Sequence, residues 1–327
     1  MLTSYRRIAS ACAPTLAVGV CVGALAGPAG AAFPGPDGRI MWVESEPSGS
    51  DRLPGDSFYI EQLPTRGESP RAGGGLECFD SREPDLADGE RLCPFFRPTF
   101  SPDGREVAFG VERALNENEY ASPRRTNLAI ESANRRGLQD DRLPDLTETD
   151  REPAWSPDGR RLVFVGRVGG VTDLYTVRPD GTDLRQVTSS RAVEGRPTWS
   201  SRGQIAFERG RAIWSVRAQG GGLRRLTFRG RNPDWSPDGR RLIFDRARRM
   251  YTVSRAGRGL RRLAGTGIYP AWSPSGRRIA FRRKFDIYTA RADGTRRRRV
   301  YDWLRTPTSR PRGRYAPRHI DWGPRQH

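Results

Sequence analysis

The chain has 327 residues, long enough for one large domain or two smaller ones. Its 57 Lys and Arg outweigh 38 Asp and Glu by a formal +19, and Lys284 is the only lysine. Only two histidines are present, which disfavours His-based catalysis, and beyond the first 31 residues no apolar run approaches membrane-spanning length.

Residues 1–31 read as a signal peptide. Arg6 and Arg7 form a short basic start, Ala11 to Ala26 an apolar stretch, and Ala29-Gly30-Ala31 a small-residue cleavage site. The expectation is an exported protein, periplasmic, at the cell surface or extracellular, with no transmembrane segment in the mature chain. Cys12 and Cys21 would leave with the signal, so Cys78 and Cys93 remain. In an oxidising compartment, two cysteines at that spacing are expected to pair, which would contribute about 3 kcal/mol through the unfolded state. With no second cysteine cluster, no metal site is expected.

From there the chain is organised by one recurring phrase. Residues 153–164 read Pro-Ala-Trp-Ser-Pro-Asp-Gly-Arg-Arg-Leu-Val-Phe, and close copies occupy 231–244 and 268–281. A weaker copy runs from Arg196 to Phe207, and another has Phe100 in the tryptophan position. The phrase reads as a strand ending in Trp-Ser, a tight Pro-Asp-Gly turn, and a second strand with alternating apolar residues such as Leu162 and Phe164. A third strand follows (173–177, 212–216, 250–253, 286–290). A further turn leads to a fourth at 184–188 or 223–227. Four antiparallel strands per repeat, without helical periodicity, describe a propeller blade.

Successive anchors fall at Phe100, Trp155, Trp199, Trp235, Trp272 and Trp322, with steps of 55, 44, 36, 37 and 50 residues. A remnant of the phrase opens the mature chain at Phe33, 67 residues before Phe100. The expected fold is therefore an all-β, six-bladed β-propeller, or a seven-bladed one if the long first step holds a further blade. The segment around Trp322 repeats only a first strand, while the stretch from Phe33 lacks one. The C-terminal strand is thus expected to complete the first blade and close the ring, removing exposed sheet edges. Residues 32–327 would form this single domain.

The recurring Pro-x-Trp-Ser-Pro-Asp-Gly, then Asp-Ile/Leu-Tyr, then Asp-Gly and Leu-Thr, resembles the repeat of TolB-type β-propellers, with WD40-like blades. The resemblance spans residues 33–324. It implies the propeller fold and a role in binding proteins of the cell envelope. The family's namesake carries an α/β domain ahead of its propeller; here the propeller is expected to follow the signal peptide directly.

The residues themselves direct the functional reading. Trp155, Trp199, Trp235, Trp272 and Trp322, each at one fixed place in its repeat, are expected to pack between blades rather than to form a ligand cage. Asp103, Asp158 and Asp238 read as turn residues. Only His319 and His327 could act as a histidine base, no Gly-x-Ser-x-Gly elbow occurs, and no catalytic residue or cofactor is assigned. The acidic stretch around the cysteines (Glu77, Asp80, Glu83, Asp85, Asp88, Glu90) lacks EF-hand spacing.

Charge is divided unevenly along the chain. Residues 33–150 hold 14 Arg against 24 acids, a net of −10, whereas residues 151–327 carry a net of +27. Such asymmetry points to an anionic partner. The candidate contacts are Arg246, Arg248, Arg249, Arg282, Arg283, Lys284, Arg297 and Arg298. Export favours a protein or an anionic envelope polymer over nucleic acid. The expected function is a non-catalytic, monomeric binding scaffold. The alternative is a polysaccharide- or peptide-active enzyme using the central channel. An enzyme would gather acids, His319 or arginines in the channel; a scaffold would show a broad basic face.

Overall fold

The computed structural model describes residues 37–45, 58–63, 90–115, 125–132, 143–301 and 318–324. These residues form strands and turns alone. β1 (Asp37–Ser45) and β2 (Phe58–Leu63) open the described chain. β3 (Glu90–Phe100), β4 (Glu106–Leu115) and β5 (Arg125–Ser132) make a three-stranded sheet.

Four four-stranded antiparallel sheets follow. The first contains β6 (Thr149–Trp155), β7 (Leu162–Val168), β8 (Val171–Val177) and β9 (Arg185–Gln186). The second contains β10 (Glu194–Trp199), β11 (Gln204–Arg209), β12 (Ala212–Arg217) and β13 (Arg224–Arg225). The third contains β14 (Arg231–Trp235), β15 (Arg241–Arg246), β16 (Arg249–Ser254) and β17 (Arg261–Thr266). The fourth contains β18 (Ile268–Trp272), β19 (Arg278–Arg283), β20 (Asp286–Arg291) and β21 (Arg298–Tyr301). The architecture is a β-propeller of four-stranded antiparallel blades.

Five sheets are thus built from consecutive strands. A sixth, three-stranded sheet joins distant parts of the chain in the order β2-β1-β22, where β22 is Arg318–Pro324. β22 runs antiparallel to β1, with Ile40 opposite Trp322. Among the described residues no seventh sheet occurs between β2 and β3.

The tight turn after each anchor explains why the phrase recurs. In the turn after Trp155, the Ser156 hydroxyl donates to Asp158 at 2.7 Å. Asp158 also accepts the Arg160 N–H, and Ser156 Oγ accepts the Arg161 N–H at 2.9 Å. Gly159 then takes a φ of 69°, which a side chain would strain. The same bonds recur at Ser101–Asp103 and Ser236–Asp238. The Leu-Thr that ends a blade has a comparable use: Thr188 and Thr227 accept the N–H groups of Leu174 and Ile213 on the third strand.

The core lies between sheets. Trp155 packs with Leu162 and Phe164 of its own sheet and with Ala108 and Leu128 of the preceding one. Trp199, Trp235 and Trp272 repeat the arrangement against Val163, Ala206 and Ile243. Trp322 does so with Ile40 against Ala280 and Ile287. None of the five is more than 7% exposed, so each removes an aromatic surface of about 150–250 Å² from water.

Candidate functional site

Two sets of polar groups stand out, one where the first strands converge and one at the hairpin tips. The first strands of neighbouring sheets touch in the sequence β3, β6, β10, β14, β18, β22, and β22 also touches β3. Each of β3, β6, β10, β14 and β18 carries an irregularity in register just before its anchor. There, three residues ahead of the anchor, the backbone of a non-glycine residue turns to positive φ: Arg97, Glu152, Arg196, Asn232 and Tyr269, at 43° to 54°. Each precedes a proline, which cannot donate to a ladder and so sits at a bulge. Holding an L-residue there costs on the order of 1–2 kcal/mol. His319 holds the same place relative to Trp322.

These residues gather at the centre. Arg97 on β3 feels the charges of Glu152, Arg196, Glu208 and Tyr269, which belong to three other blades, and desolvation holds its pKa below the usual guanidinium value. The carboxylates join neighbouring blades. Glu152 accepts the Arg196 N–H at 2.5 Å, and Glu208 accepts the Asn232 N–H at 2.7 Å and the Arg196 guanidinium at 3.1 Å. Asp245 accepts both the Asn232 amide, at 2.6 Å, and the Tyr269 N–H. One turn closer to the anchors, Asp234 accepts the Trp272 N–H at 2.7 Å and Asp321 accepts the Phe100 N–H at 2.8 Å. Burial, then the neighbouring Asp321, pushes the Asp234 carboxyl up to about 7, and burial raises Asp321 as well.

The convergent polar cluster expected of an enzyme is therefore present, together with a basic face. Its carboxylates, however, are spent on backbone N–H groups of the next blade. That is the chemistry of a staple between blades.

The basic residues sit elsewhere. In an antiparallel blade the Pro-Asp-Gly turns and the third-to-fourth-strand turns lie at one end. The second-to-third-strand hairpins lie at the other, with the connections to the next blade. Backbone bonds join these hairpins and connections: Gly230 N–H to Arg211, Gly267 N–H to Arg248, Gly210 N–H to Val193. Arg246, Arg248 and Arg249 flank the two-residue turn between β15 and β16, where Ala247 and Arg248 both have positive φ. Arg282 and Arg283 end β19, and Lys284 opens the corresponding turn to β20. All but the half-buried Arg282, which stacks over Tyr269 at 5.1 Å, are exposed.

Arg297 and Arg298 do not join them. They follow the turn between β20 and β21, at the opposite end of the blade, so the eight candidate residues divide six to two. That opposite end carries arginines too, some of them next to acids. Asp183 there binds Arg161 at 2.5 Å and Arg185 at 2.8 Å, hydrogen bonds that lower its pKa to about 2. Asp103 and Asp238 lie beside Arg105 and Arg240. At the hairpin end, Arg246, Arg248, Arg249, Arg283 and Lys284 have no ion pair within 4 Å among the described residues. Glu148, Glu194 and Asp286, near the tips there, each lie beside an arginine. Exposed arginines without an ion pair among the described residues also stand at the opposite end, Arg297 and Arg298 included.

Sequence reading missed the apolar members of the hairpin face, Val193, Phe228 and Phe285, which are 70%, 77% and 48% exposed. Their signal was an apolar residue set inside an arginine-rich connection. It also missed the inner ring, whose signal was a residue of varying chemistry always preceding the proline of Pro-x-Trp. Cys78 and the acidic residues from Glu77 to Asp88 lie outside the described residues, as does His327; Cys93 falls on β3.

A family model described as the TolB beta propeller domain matches residues 94–284, more than half of the chain. The chain belongs to that family. Among solved structures, TolB from Acinetobacter baumannii shares the fold at a TM-score of 0.54 and 18% identity, covering 88% of this chain and 67% of that one. The Tol-Pal system protein TolB of Anaeromyxobacter dehalogenans is 44% identical over 45 residues, 14% of this chain and 10% of its own length. Dipeptidyl-peptidase 5 of Porphyromonas endodontalis is 32% identical over 90 residues, 28% of this chain and 12% of its own. This TolB-family chain therefore spans about a tenth of these curated relatives.

Proposed function

We propose that the protein is an exported, non-catalytic scaffold that binds a protein or an anionic envelope polymer through the hairpin face of a six-bladed propeller. The observation that carries this reading is the set of exposed cations at two hairpin tips, Arg246, Arg248, Arg249, Arg283 and Lys284, which have no ion pair within 4 Å among the described residues. A positive patch of this kind draws anions and steers encounter. The sheet β2-β1-β22 serves as the sixth blade, with the C-terminal strand closing the ring. Residues 1–31 direct export, residues 32–327 form the single domain, and the protein acts as a monomer without a cofactor. Among the described residues no helix is long and apolar enough to cross a membrane.

The test is a pull-down from the native envelope at low and high salt. A defined partner that dissociates as salt rises supports electrostatic docking. A partner retained at high salt contradicts it.

A second reading is favoured by one observation, the short stretch shared with a dipeptidyl-peptidase. In that reading the inner ring acts on peptides. Turnover of a peptide library, abolished by Arg97→Ala or Glu152→Gln, would establish it in place of the scaffold.

A further inference from the structure

We propose that Arg97 anchors a small monoanionic carboxylate in the central channel. This site is separate from the hairpin face. Two features of the inner ring point to it.

The first is a contrast between two arginines. Arg97 and Arg196 hold the same place, three residues ahead of the anchor, each at positive φ on a first strand. Arg196 donates to Glu208 at 3.1 Å and to the Asn232 side-chain oxygen at 2.7 Å. Desolvation by itself would lower its pKa, but Glu208 and Glu152 together hold it above the usual guanidinium value. Arg97 has no ion pair within 4 Å among the described residues, and no hydrogen bond leaves its guanidinium there. Desolvation therefore prevails at Arg97, in spite of Glu152 and Glu208. A guanidinium withdrawn from bulk water is costly unless an anion meets it. Arg97 is half-buried rather than sealed, so a small solute can reach it.

The second is that the surrounding acids are engaged elsewhere. Glu152 accepts the Arg196 N–H and Glu208 the Asn232 N–H. Asp234 and Asp321 also feel Arg97, and they accept the N–H groups of Trp272 and Phe100. Burial raises both carboxyls, Asp234 to about 7, so up to neutral pH they offset Arg97 only in part.

The same acids select the ligand. A carboxylate matches the planar guanidinium fork with two parallel bonds. A dianion such as sulfate meets twice the repulsion from Glu152 and Glu208 that a monoanion does.

The experiment titrates the processed protein with sodium acetate against sodium chloride at constant ionic strength. The arginine Nε–H resonances are followed by NMR at pH 6. Acetate is expected to shift one of them saturably, and that response should be absent in Arg97→Gln. Sulfate should bind about fivefold more weakly or worse. Glu152, Arg196, Glu208, Tyr269, Asp234 and Asp321 all act on this site. Between pH 6 and 8 acetate stays ionised while Asp234 loses its proton, so affinity should fall roughly threefold or more. Asp234→Asn should remove most of that fall.

Arg97→Gln removes a charge without a partner, so in chloride its melting temperature should equal or exceed the parent's. Should it fail to fold, Arg97→Lys keeps the charge without the fork and should lower acetate affinity about fivefold or more. No saturable shift, a shift that persists in Arg97→Gln, undiminished affinity in Arg97→Lys, or sulfate binding as tight as acetate overturns the proposal. Each of these outcomes leaves the hairpin face to its own test, the salt-dependent pull-down.

Discussion

Asp321 accepts the backbone N–H of Phe100 at 2.8 Å across a separation of 221 residues. The bond ties the last described strand to the first strand of the next blade, and Gly323 lies so close to the Phe100 ring that a Cβ there would sit 2.4 Å from it. Losing Asp321 strands a buried N–H, so Asp321→Ala should cost about 1–3 kcal/mol. Denaturant unfolding measures this. Deleting residues 314–327 should go further, exposing the edge of β1 and causing aggregation; an equally stable soluble product would argue against closure.

Asp234 gives the stability a pH dependence. Its carboxyl, ordinarily near 3.8, is raised to about 7 in the fold by burial and by Asp321. The native state thus holds a proton that the unfolded chain releases, and the group's unfavourable contribution develops as pH rises from about 4 to 7. Asp234→Asn keeps an acceptor for the Trp272 N–H. It should be more stable than the parent at pH 8 by about 1–4 kcal/mol, at 1.36 kcal/mol per pKa unit. Near pH 4 the two should match. Thermal melts at both values decide the matter.

The anchor tryptophans offer a graded test. The indole nitrogens of Trp155, Trp235, Trp272 and Trp322 are buried without an acceptor among the described residues. Phe100 shows that a smaller ring is accommodated at the same repeat position. Trp235→Phe should therefore cost less than about 2 kcal/mol, whereas Trp235→Ala should cost about 3–5 kcal/mol. Equal losses would indicate a polar role for the indole.

The cysteines make a separate prediction. If Cys78 and Cys93 pair, reducing agent should lower stability by about 3 kcal/mol, read as a drop in melting temperature. An unchanged value would show that the two thiols are free.

The repeat architecture was legible because its determinants are local. Ser and Asp of the turn after Trp155 bond within five residues of one another, and Leu162 and Phe164 alternate in a strand's own period. The inner ring was not legible, because positive φ at Arg196 or Tyr269 goes with bulge geometry and with carboxylates on the preceding blade. Nor could sequence spacing separate Arg248 from Arg298. Both look alike in an arginine-rich run, and only the up-and-down path of the strands sends one to each end of the blade. Phe228 was overlooked for the same reason: its exposure depends on where the connection between β13 and β14 emerges.

The central claim is that one face of the disc carries the binding. The most direct measurement compares two charge-reversal variants in the envelope pull-down. One changes Arg246, Arg248 and Lys284 to Glu at the hairpin end; the other changes Arg297 and Arg298 to Glu at the opposite end. Loss of the partner in the first variant and its retention in the second is the predicted result. Equal retention by both, or equal loss, would contradict the assignment of binding to the hairpin face.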